Sequence, residues 1–149
     1  MNIDFKNKNV IVTGGTRGIG AEIAKMFFYL GANVLLTGAK SSFEDNTISR
    51  IENFTPKYIN LDLTSETSIK NFTKRINNFD QIDVLINNAG INKIEDISEI
   101  SESDWDLITK VNLKGPFLLT QSVIRKMKKV NKGKIVNISS IFSVVSKEK

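Results

Sequence analysis

The feature of this 149-residue sequence that most limits its fold is a regular alternation of short apolar runs with longer helix-like segments. Each run is rich in β-branched residues and continuously apolar, as expected of strands covered by helices on both faces. The predicted strands are residues 9–13, 32–37, 57–61, 82–86 and 134–138. The alternation predicts a Rossmann-like, doubly wound parallel sheet in a three-layer α/β/α arrangement.

The segments between these runs carry the end signals of helices. The predicted helices are residues 21–30, 43–53, 64–79 and 103–130. Gly31 stands where a residue that ends a helix is expected. Thr64 and Ser65 give an N-cap signal for the third helix, and Ser103 is expected to cap the long fourth one. Together with the length of the sequence, these signals predict one domain of ordinary size.

Composition excludes several classes of chemistry. The sequence has no Cys and no His, so disulfides, thiol nucleophiles and imidazole bases are absent and no metal site is expected. With 40% hydrophobic and 25% charged residues, it is typical of a globular protein. The net charge of +5 comes from scattered lysines without an aromatic and basic stripe, so no nucleic-acid partner is expected. No leader or membrane segment is recognisable, which favours a cytoplasmic location without membrane contact.

A glycine-rich turn joins the first predicted strand to the first predicted helix. Residues 13–20 read Thr-Gly-Gly-Thr-Arg-Gly-Ile-Gly. Glycines between a strand and a helix allow a tight turn and let the backbone approach a pyrophosphate at the helix N-terminus. A plain strand-to-helix connection is the alternative for such a turn alone. Within the alternation of strands and helices, the turn favours binding of a dinucleotide cofactor.

Further motifs follow the later strands in order. Asp62 comes after the third strand, residues 87–90 after the fourth read Asn-Asn-Ala-Gly, and Asn112 lies inside the long helix. Ser139 and Ser140 end the fifth strand. Together with the glycine turn, these motifs resemble the fingerprint of the short-chain dehydrogenase/reductase family over essentially the whole chain. Within it, the glycine turn and the Asn-Asn-Ala-Gly motif are similar to those of the 3-oxoacyl-carrier-protein reductases.

The resemblance implies a set of site residues. Ser140 would contact the substrate and Asn112 would hold a water in a proton path, as catalytic residues of the family do. The family's catalytic Tyr and Lys would follow Ser140 in the sequence and lie beyond Lys149. The resemblance thus implies that residues 1–149 form a dinucleotide-binding Rossmann domain that is incomplete at its C-terminal end. The cofactor-binding residues implied are Gly14, Thr16, Arg17, Gly18, Ile19, Gly20, Lys40, Asp62, Leu63, Asn88, Ala89, Gly90 and Val111.

Each of these residues has a structural alternative. Asp62 can cap the following helix, and Asn87 and Asn88 can be turn formers. Ser140, with the serine before it, can form an N-cap or a turn. Asn112 is unfavourable within a helix, and on helix propensity alone leucine there is expected to fold at least as well.

The residues around the expected ribose site favour NADP(H) over NAD(H). A carboxylate after the second strand accepts from the NAD ribose, whereas basic groups accept the NADP phosphate. Here Gly38 stands where NAD-preferring relatives place Asp, and no carboxylate follows before Glu44. Arg17 resembles the basic residue of NADP-preferring relatives, and Lys40 can assist it.

The resemblance implies hydride transfer between NADP(H) and a small carbonyl or alcohol substrate, in a full-length enzyme that is a homo-oligomer. The chain as given has only two tyrosines, Tyr29 and Tyr58, and neither stands at the family's position. We therefore expect the 149-residue chain to be inactive. A non-catalytic nucleotide-binding module and a fragment of a decayed gene are the alternatives.

Overall fold

A computed structural model describes residues 3–40, 54 and 56–140 of the chain. The described part contains a parallel five-stranded sheet in the order β3-β2-β1-β4-β5. The strands are β1 (Asn9–Val12), β2 (Asn33–Gly38), β3 (Lys57–Asn60), β4 (Val84–Asn87) and β5 (Lys134–Asn137). This order reverses direction between β1 and β4, which is where ligands bind in open α/β sheets. The predicted Rossmann-like arrangement is confirmed.

The helices lie on both faces of the sheet. They are α1 (Gly18–Tyr29), α2 (Glu66–Ile76), α3 (Glu102–Thr109) and α4 (Gly115–Lys129), and a π-helical turn (Lys110–Lys114) joins the last two. The helix predicted at 43–53 lies outside the described residues. No helix in the described ranges has the length and apolar character needed to cross a bilayer.

Alternation along each strand divides the core into two clusters. Ile11 of β1 faces α2 and α4 and belongs to one cluster with Phe72 and Leu119 of those helices. Val10 and Val12 face the opposite side, where Ala24 of α1 packs against them. All of these side chains are almost completely buried. Because both faces of β1, β2 and β4 are covered, these strands can be apolar throughout, and three layers form as predicted. The expectation that helices cover both faces of every strand is wrong for β5, where three of the four residues are exposed.

The long C-terminal helix differs from its prediction in two ways. Its first residue is Glu102, and its N-cap is Ser101, whose hydroxyl accepts from the Asp104 N–H at 3.1 Å. The prediction that Ser103 is the N-cap is therefore wrong. The helix is also not uniformly α-helical, because the π-helical turn inserts between α3 and α4. A single π-helical turn within an α-helix is a feature that is frequent at functional sites.

The predicted end signals at Ser65 and Gly31 agree with the structure, although α1 begins at residue 18 and not 21, and α2 ends at residue 76 and not 79. Ser65 caps α2, with its hydroxyl 3.2 Å from the Ser68 amide nitrogen. Leu30 is the C-cap of α1, and the following Gly31 has a φ of +86°. This is the left-handed conformation that favours glycine after a helix.

Candidate functional site

A cleft of about 650 Å³ opens at the carboxyl ends of β1, β2 and β4. Its size is within the range of about 300–1,000 Å³ that is typical of small-molecule sites. Every predicted cofactor-binding residue except Lys40 lines it. The lining residues that were predicted are Gly14, Thr16, Arg17, Gly18, Ile19, Gly20, Asp62, Leu63, Asn88, Ala89, Gly90 and Val111. The structure thus brings together motifs that are widely separated in the sequence.

The glycine turn packs directly against the segment that follows β4. Gly14 has a φ of +61°, and a Cβ there would lie 2.9 Å from the Cα of Ala89. A Cβ at Gly20 would lie 2.4 Å from both the Asn88 side-chain nitrogen and the Gly14 carbonyl oxygen. Both contacts are shorter than a side chain tolerates. Packing therefore requires glycine at both positions, and the positive φ of Gly14 favours glycine there as well.

The hydroxyl of Thr13 joins the same two segments through three hydrogen bonds. Its Oγ1 donates to the Ile86 carbonyl at 3.3 Å and accepts from the amides of Asn88 and Ala89, both at 3.0 Å. A threonine hydroxyl has one donor and two acceptor sites, so all of its capacity is used. Thr13 is 1% exposed, and these bonds form in a buried environment. The end of β4 is fixed to the end of β1.

The side chains of Asn87 and Asn88 have different partners. Asn88 Nδ2 donates to the carbonyls of Thr13 and Gly14 at 3.0 and 3.2 Å, which ties it to the glycine turn. Asn87 Nδ2 donates to Thr120 Oγ1 at 3.1 Å and to Asn137 Oδ1 at 2.8 Å. Both amides therefore join separate elements, which is more than a local turn requires. Among the described residues, the buried Asn87 Oδ1 has no hydrogen-bond partner.

The N-terminus of α1 faces the cleft without a protein cap. Arg17 is the N-cap residue, its side chain makes no capping hydrogen bond, and the first turn contains no acidic residue. The first amides of a helix lack intrahelical acceptors and carry a partial positive charge. Gly18 leaves the approach open, since a Cβ there would meet no atom within 4 Å. This end of α1 is suited to an anionic group.

Asp62 lines the cleft in a turn that precedes α2. Its Oδ1 accepts from the Thr64 amide at 2.8 Å and from the Thr64 hydroxyl at 2.7 Å. Since Ser65 is the N-cap of α2, the alternative that Asp62 caps this helix is wrong. Thr64 holds the carboxylate in a fixed orientation at the edge of the cleft.

Asn112 lies in the π-helical turn and holds the chain after the Asn-Asn-Ala-Gly segment. Its Oδ1 accepts from the Ile91 amide at 2.9 Å, and its Nδ2 donates to the Ile91 carbonyl at 2.8 Å. Leucine would remove both bonds. Helix propensity takes no account of this tertiary contact, so we now expect leucine to be less stable here than asparagine.

A second cleft, continuous with the first through Ile19 and residues 88–90, contains both predicted catalytic residues. Asn112 and Ser140 line it together with Thr120 and Asn137. The sequence separates Asn112 from Ser140 by a helix and a strand, and the fold returns them to one surface. Their shared location is compatible with a common substrate, and their catalytic roles remain predictions.

Two charged groups hold the loop after residue 90 to the start of α3. Lys93 Nζ lies 2.6 Å from Asp104 Oδ2 and 3.1 Å from Glu95 Oε2. The hydrogen bond to Asp104 raises the pKa of Lys93, and the same bond lowers the pKa of Asp104. These groups are exposed, so the interaction is screened by salt.

Other lining residues were not among the predicted site residues. They are Thr37, Gly38, Ala39, Leu61, Thr64, Ile91 and Leu107. Most of them are sequence neighbours of predicted residues, so adjacency was the available signal. Leu107 comes from α3, and no local pattern indicated that its side chain would reach the cleft.

The comparisons with known proteins agree with this geometry. A family model described as short chain dehydrogenase matches residues 8–149. A 3-oxoacyl-[acyl-carrier-protein] reductase of Aquifex aeolicus is 41% identical over 148 residues, which cover 95% of this chain and 58% of that protein. A cyclopentanol dehydrogenase of Comamonas testosteroni is 33% identical over 145 residues, covering 93% of this chain and 57% of that protein.

The fold comparison gives the same result. A short-chain dehydrogenase from Streptomyces avermitilis superposes with a TM-score of 0.85 and 27% sequence identity, covering 95% of this chain and 52% of that structure. The chain thus spans between half and three fifths of the length of these relatives. The matched region includes the glycine turn, the Asn-Asn-Ala-Gly segment and the sheet that joins them. The chain belongs to the short chain dehydrogenase family.

Proposed function

We propose that this chain forms the cofactor-binding part of an NADP(H)-dependent oxidoreductase that acts on a carbonyl or alcohol substrate. The observation that carries the proposal is the cleft in which three features meet. The open N-terminus of α1, the glycine turn and residues 88–90 all face the same space. A dinucleotide needs such a combination, because its pyrophosphate is anionic and must approach the backbone closely.

The surroundings of Gly38 support NADP(H) over NAD(H). Gly38 lines the cleft at the end of β2, and a Cβ there would lie 3.1 Å from the Tyr58 hydroxyl oxygen and 3.2 Å from Thr16 Cγ2. An aspartate could bind a ribose hydroxyl from this position only if these neighbours moved. Arg17 lies at the cleft as a cation for a 2′-phosphate. Lys40 does not line the cleft, but it is adjacent to Ala39, which does.

The residues of this chain would hold the cofactor and one side of the substrate. Amides at the start of α1 would bind the pyrophosphate, and the Asp62 carboxylate, oriented by Thr64, would accept from the adenine. When bound, NADPH supplies the hydride for reduction of a carbonyl. Ser140 would orient the substrate oxygen, and Asn112 would keep the Ile91 backbone in place beside it.

The two tyrosines of the chain cannot serve as the acid for this reaction. Tyr58 lies in β3 and Ser140 follows β5, and these strands are at opposite edges of the sheet. Four interstrand spacings of about 4.8 Å separate them. Tyr29 is at the last turn of α1, which is the end remote from the glycine turn. We therefore expect the 149-residue chain to bind cofactor without turnover of NADPH with any ketone.

Calorimetric titration of the 149-residue chain with NADPH and with NADH tests the cofactor proposal. We expect NADPH to bind more tightly, and Arg17→Ala to weaken NADPH more than NADH. Arg75→Ala, on α2 and outside the cleft lining, is the matched control and should change neither affinity. Equal affinities for the two cofactors in the unaltered chain would refute the NADP(H) preference.

The substrate and the catalytic role form a further part of the proposal. The 3-oxoacyl reductase and the cyclopentanol dehydrogenase among the relatives are named for a carbonyl and an alcohol, and we favour a 3-oxoacyl-like substrate because of the higher identity. A non-catalytic nucleotide-binding module and a decayed gene are the competing functions. Sequencing the coding DNA after Lys149 separates them: an open frame with Tyr and Lys four residues apart supports the enzyme, and an immediate stop supports its rivals.

A further inference from the structure

Two side chains of β3 bind the backbone at the end of β2. Tyr58 Oη lies 3.0 Å from the Gly38 carbonyl oxygen and 2.5 Å from that of Lys40. Asn60 Nδ2 lies 3.0 Å from the Ala39 carbonyl oxygen and 2.7 Å from that of Lys40. Three consecutive carbonyls therefore face two side chains of a neighbouring strand. We refer to Tyr58 and Asn60 with these carbonyls as the carbonyl clamp.

The register of the sheet explains how the clamp forms. Gly38 pairs with Asn60 and Leu36 pairs with Tyr58 in the parallel ladder. Since Tyr58 and Asn60 are two residues apart, their side chains leave the same face of the strand. The tyrosine hydroxyl offers one proton and the asparagine amide offers two, which matches the three carbonyls. Burial raises the pKa of the Tyr58 hydroxyl, and a hydrogen bond with the Asn60 side chain lowers it.

The direction of the carbonyls determines the direction of the amides. In a trans peptide the N–H of one residue points opposite to the C=O of the residue before it. The Gly38 carbonyl also accepts from the Leu61 amide at 2.8 Å, which fixes it toward β3. The N–H of Ala39 therefore points away from β3, toward the side of the sheet where β1 and its glycine turn lie. The same rule directs the N–H of Lys40 away from the clamp.

Successive N–H groups that point to one side form a concave site for anions. Gly38 and Ala39 line the cleft beside Thr16 and Arg17. An anion at this position would meet the two amides from one side and the Arg17 side chain from the other. The Leu61 amide holds the Gly38 carbonyl independently of the clamp. If the clamp were absent, the carbonyls of Ala39 and Lys40 could turn toward the same space and would repel a phosphate.

We propose that Tyr58 and Asn60 are positioning residues that give the cleft its selectivity for a 2′-phosphorylated ribose, by keeping the carbonyls of Ala39 and Lys40 turned away from the phosphate and the Lys40 amide directed at it. The inference rests on the proposed binding of NADP(H). It adds two residues of a different strand to the groups that distinguish the two cofactors. Neither residue lines the cleft, so both act through the backbone that they hold.

The test compares two ligands that differ only in the 2′-phosphate, adenosine 2′,5′-bisphosphate and AMP. Their affinities are measured with the 149-residue chain, Tyr58→Phe, Asn60→Leu and the double variant. We expect the unaltered chain to bind the bisphosphate more tightly than AMP. In the double variant, the ratio of the two affinities should fall about tenfold, as removal of one or two hydrogen bonds predicts. AMP affinity should change less than twofold. Tyr29→Phe, an exposed tyrosine on α1, should keep the full ratio.

Each outcome decides between the inference and its alternatives. A double variant that retains the ratio, or one in which both affinities fall together, overturns the clamp as a selectivity device while leaving the NADP(H) proposal intact. An unaltered chain with no preference for the bisphosphate overturns both. If Asn60→Leu does not fold, Asn60→Asp replaces it, because the carboxylate has the same shape but cannot donate to the carbonyls. A second reading is the ¹⁵N–¹H signals of Ala39 and Lys40, which should shift with the bisphosphate only.

Discussion

Strands β4 and β5 are neighbours in the sheet, yet their side chains lie in opposite environments. All four residues of β4 are buried, whereas β5 has three exposed residues and one half-buried residue. Ile86 of β4 is 4% exposed, and its register partner Val136 is 43% exposed. The cleft proposed to bind the cofactor lies at the carboxyl ends of β1, β2 and β4, whose residues are mostly buried. The proposed nucleotide site thus depends on the well-packed part of the sheet, while Ser140 follows its exposed edge.

The largest expected difference between the two regions comes from a side chain added in the glycine turn. Gly20→Val places atoms where a Cβ alone would already lie 2.4 Å from Asn88 and Gly14. We expect loss of nucleotide binding and a fall of about 3 kcal/mol in the free energy of unfolding, the upper range for overpacking. Calorimetric titration and denaturant unfolding measure the two effects. Gly133→Val is the matched control, because its Cβ would lie 2.3 Å from the buried Met127 side chain, away from the cleft lining. It should also lower the free energy of unfolding but leave nucleotide binding by the folded chain unchanged; equal loss of binding in both would contradict the interpretation.

Two valines allow a direct comparison of how much β4 and β5 contribute to stability. Val84 of β4 is 5% exposed, and Val136 of β5 is 43% exposed. Val84→Ala should lower the free energy of unfolding by about 1–2 kcal/mol, since it removes two buried methyl groups. Val136→Ala should cost less than about 0.5 kcal/mol, as surface substitutions do. Urea unfolding of both variants checks this. Equal costs would mean that the edge at β5 is covered in solution.

Asn112→Leu tests the contact between the π-helical turn and the chain at Ile91, which lines the cleft. The substitution removes both hydrogen bonds to the Ile91 backbone. We expect a loss of about 1 kcal/mol in the free energy of unfolding, because the better helix propensity of leucine offsets part of the cost. Thermal unfolding measures it. A variant as stable as the unaltered chain would show that the Ile91 contact contributes nothing.

The smallest effect is expected at the loop that Lys93 holds. The lowered pKa of Asp104 means that its contribution is present above the ordinary value of 3.8 and is lost as the pH falls through the lowered folded-state pKa. The raised pKa of Lys93 means that its contribution is present below 10.5 and is lost as the pH rises through the raised folded-state pKa. Lys93→Met should therefore lower the Tm slightly at neutral pH and less in acid. The control is Lys25→Met on α1, whose pair with Glu22 is a single exposed contact. A Tm difference that persists unchanged in acid would exclude the ion pair as its cause.

Much of the fold followed from local patterns in the sequence. The five apolar runs and the glycine turn predicted the parallel sheet and its cleft, because strand burial and turn chemistry act locally. The prediction that Ser103 caps the long helix was wrong for a physical reason. Both Ser101 and Ser103 are followed three residues later by Asp. Lys93, which contacts Asp104, stabilises the earlier start, and this partner is distant in sequence.

The remaining site features depend on register and tertiary contact. Tyr58 and Asn60 reach the β2 backbone only because Gly38 pairs with Asn60, and a shift by one residue would turn both side chains to the other face. Asn112 was recognised as an unusual helix residue, but its partner Ile91 lies 21 residues earlier. The sequence therefore identified most residues that line the cleft, but it did not identify the tertiary contacts that hold the backbone of these residues.

The hydroxyl of Thr13 also has a consequence for how the site forms during synthesis. The amide of Ala89 that donates to this hydroxyl lies 76 residues later in the chain. At translation rates of about 5–20 residues per second, that amide is made about 4–15 s after the glycine turn. Contacts of such long sequence separation also form slowly in folding. The glycine turn is therefore synthesised early, but its hydrogen bonds to the segment after β4 form late. The proposed nucleotide site is complete only after β4 has joined the sheet beside β1.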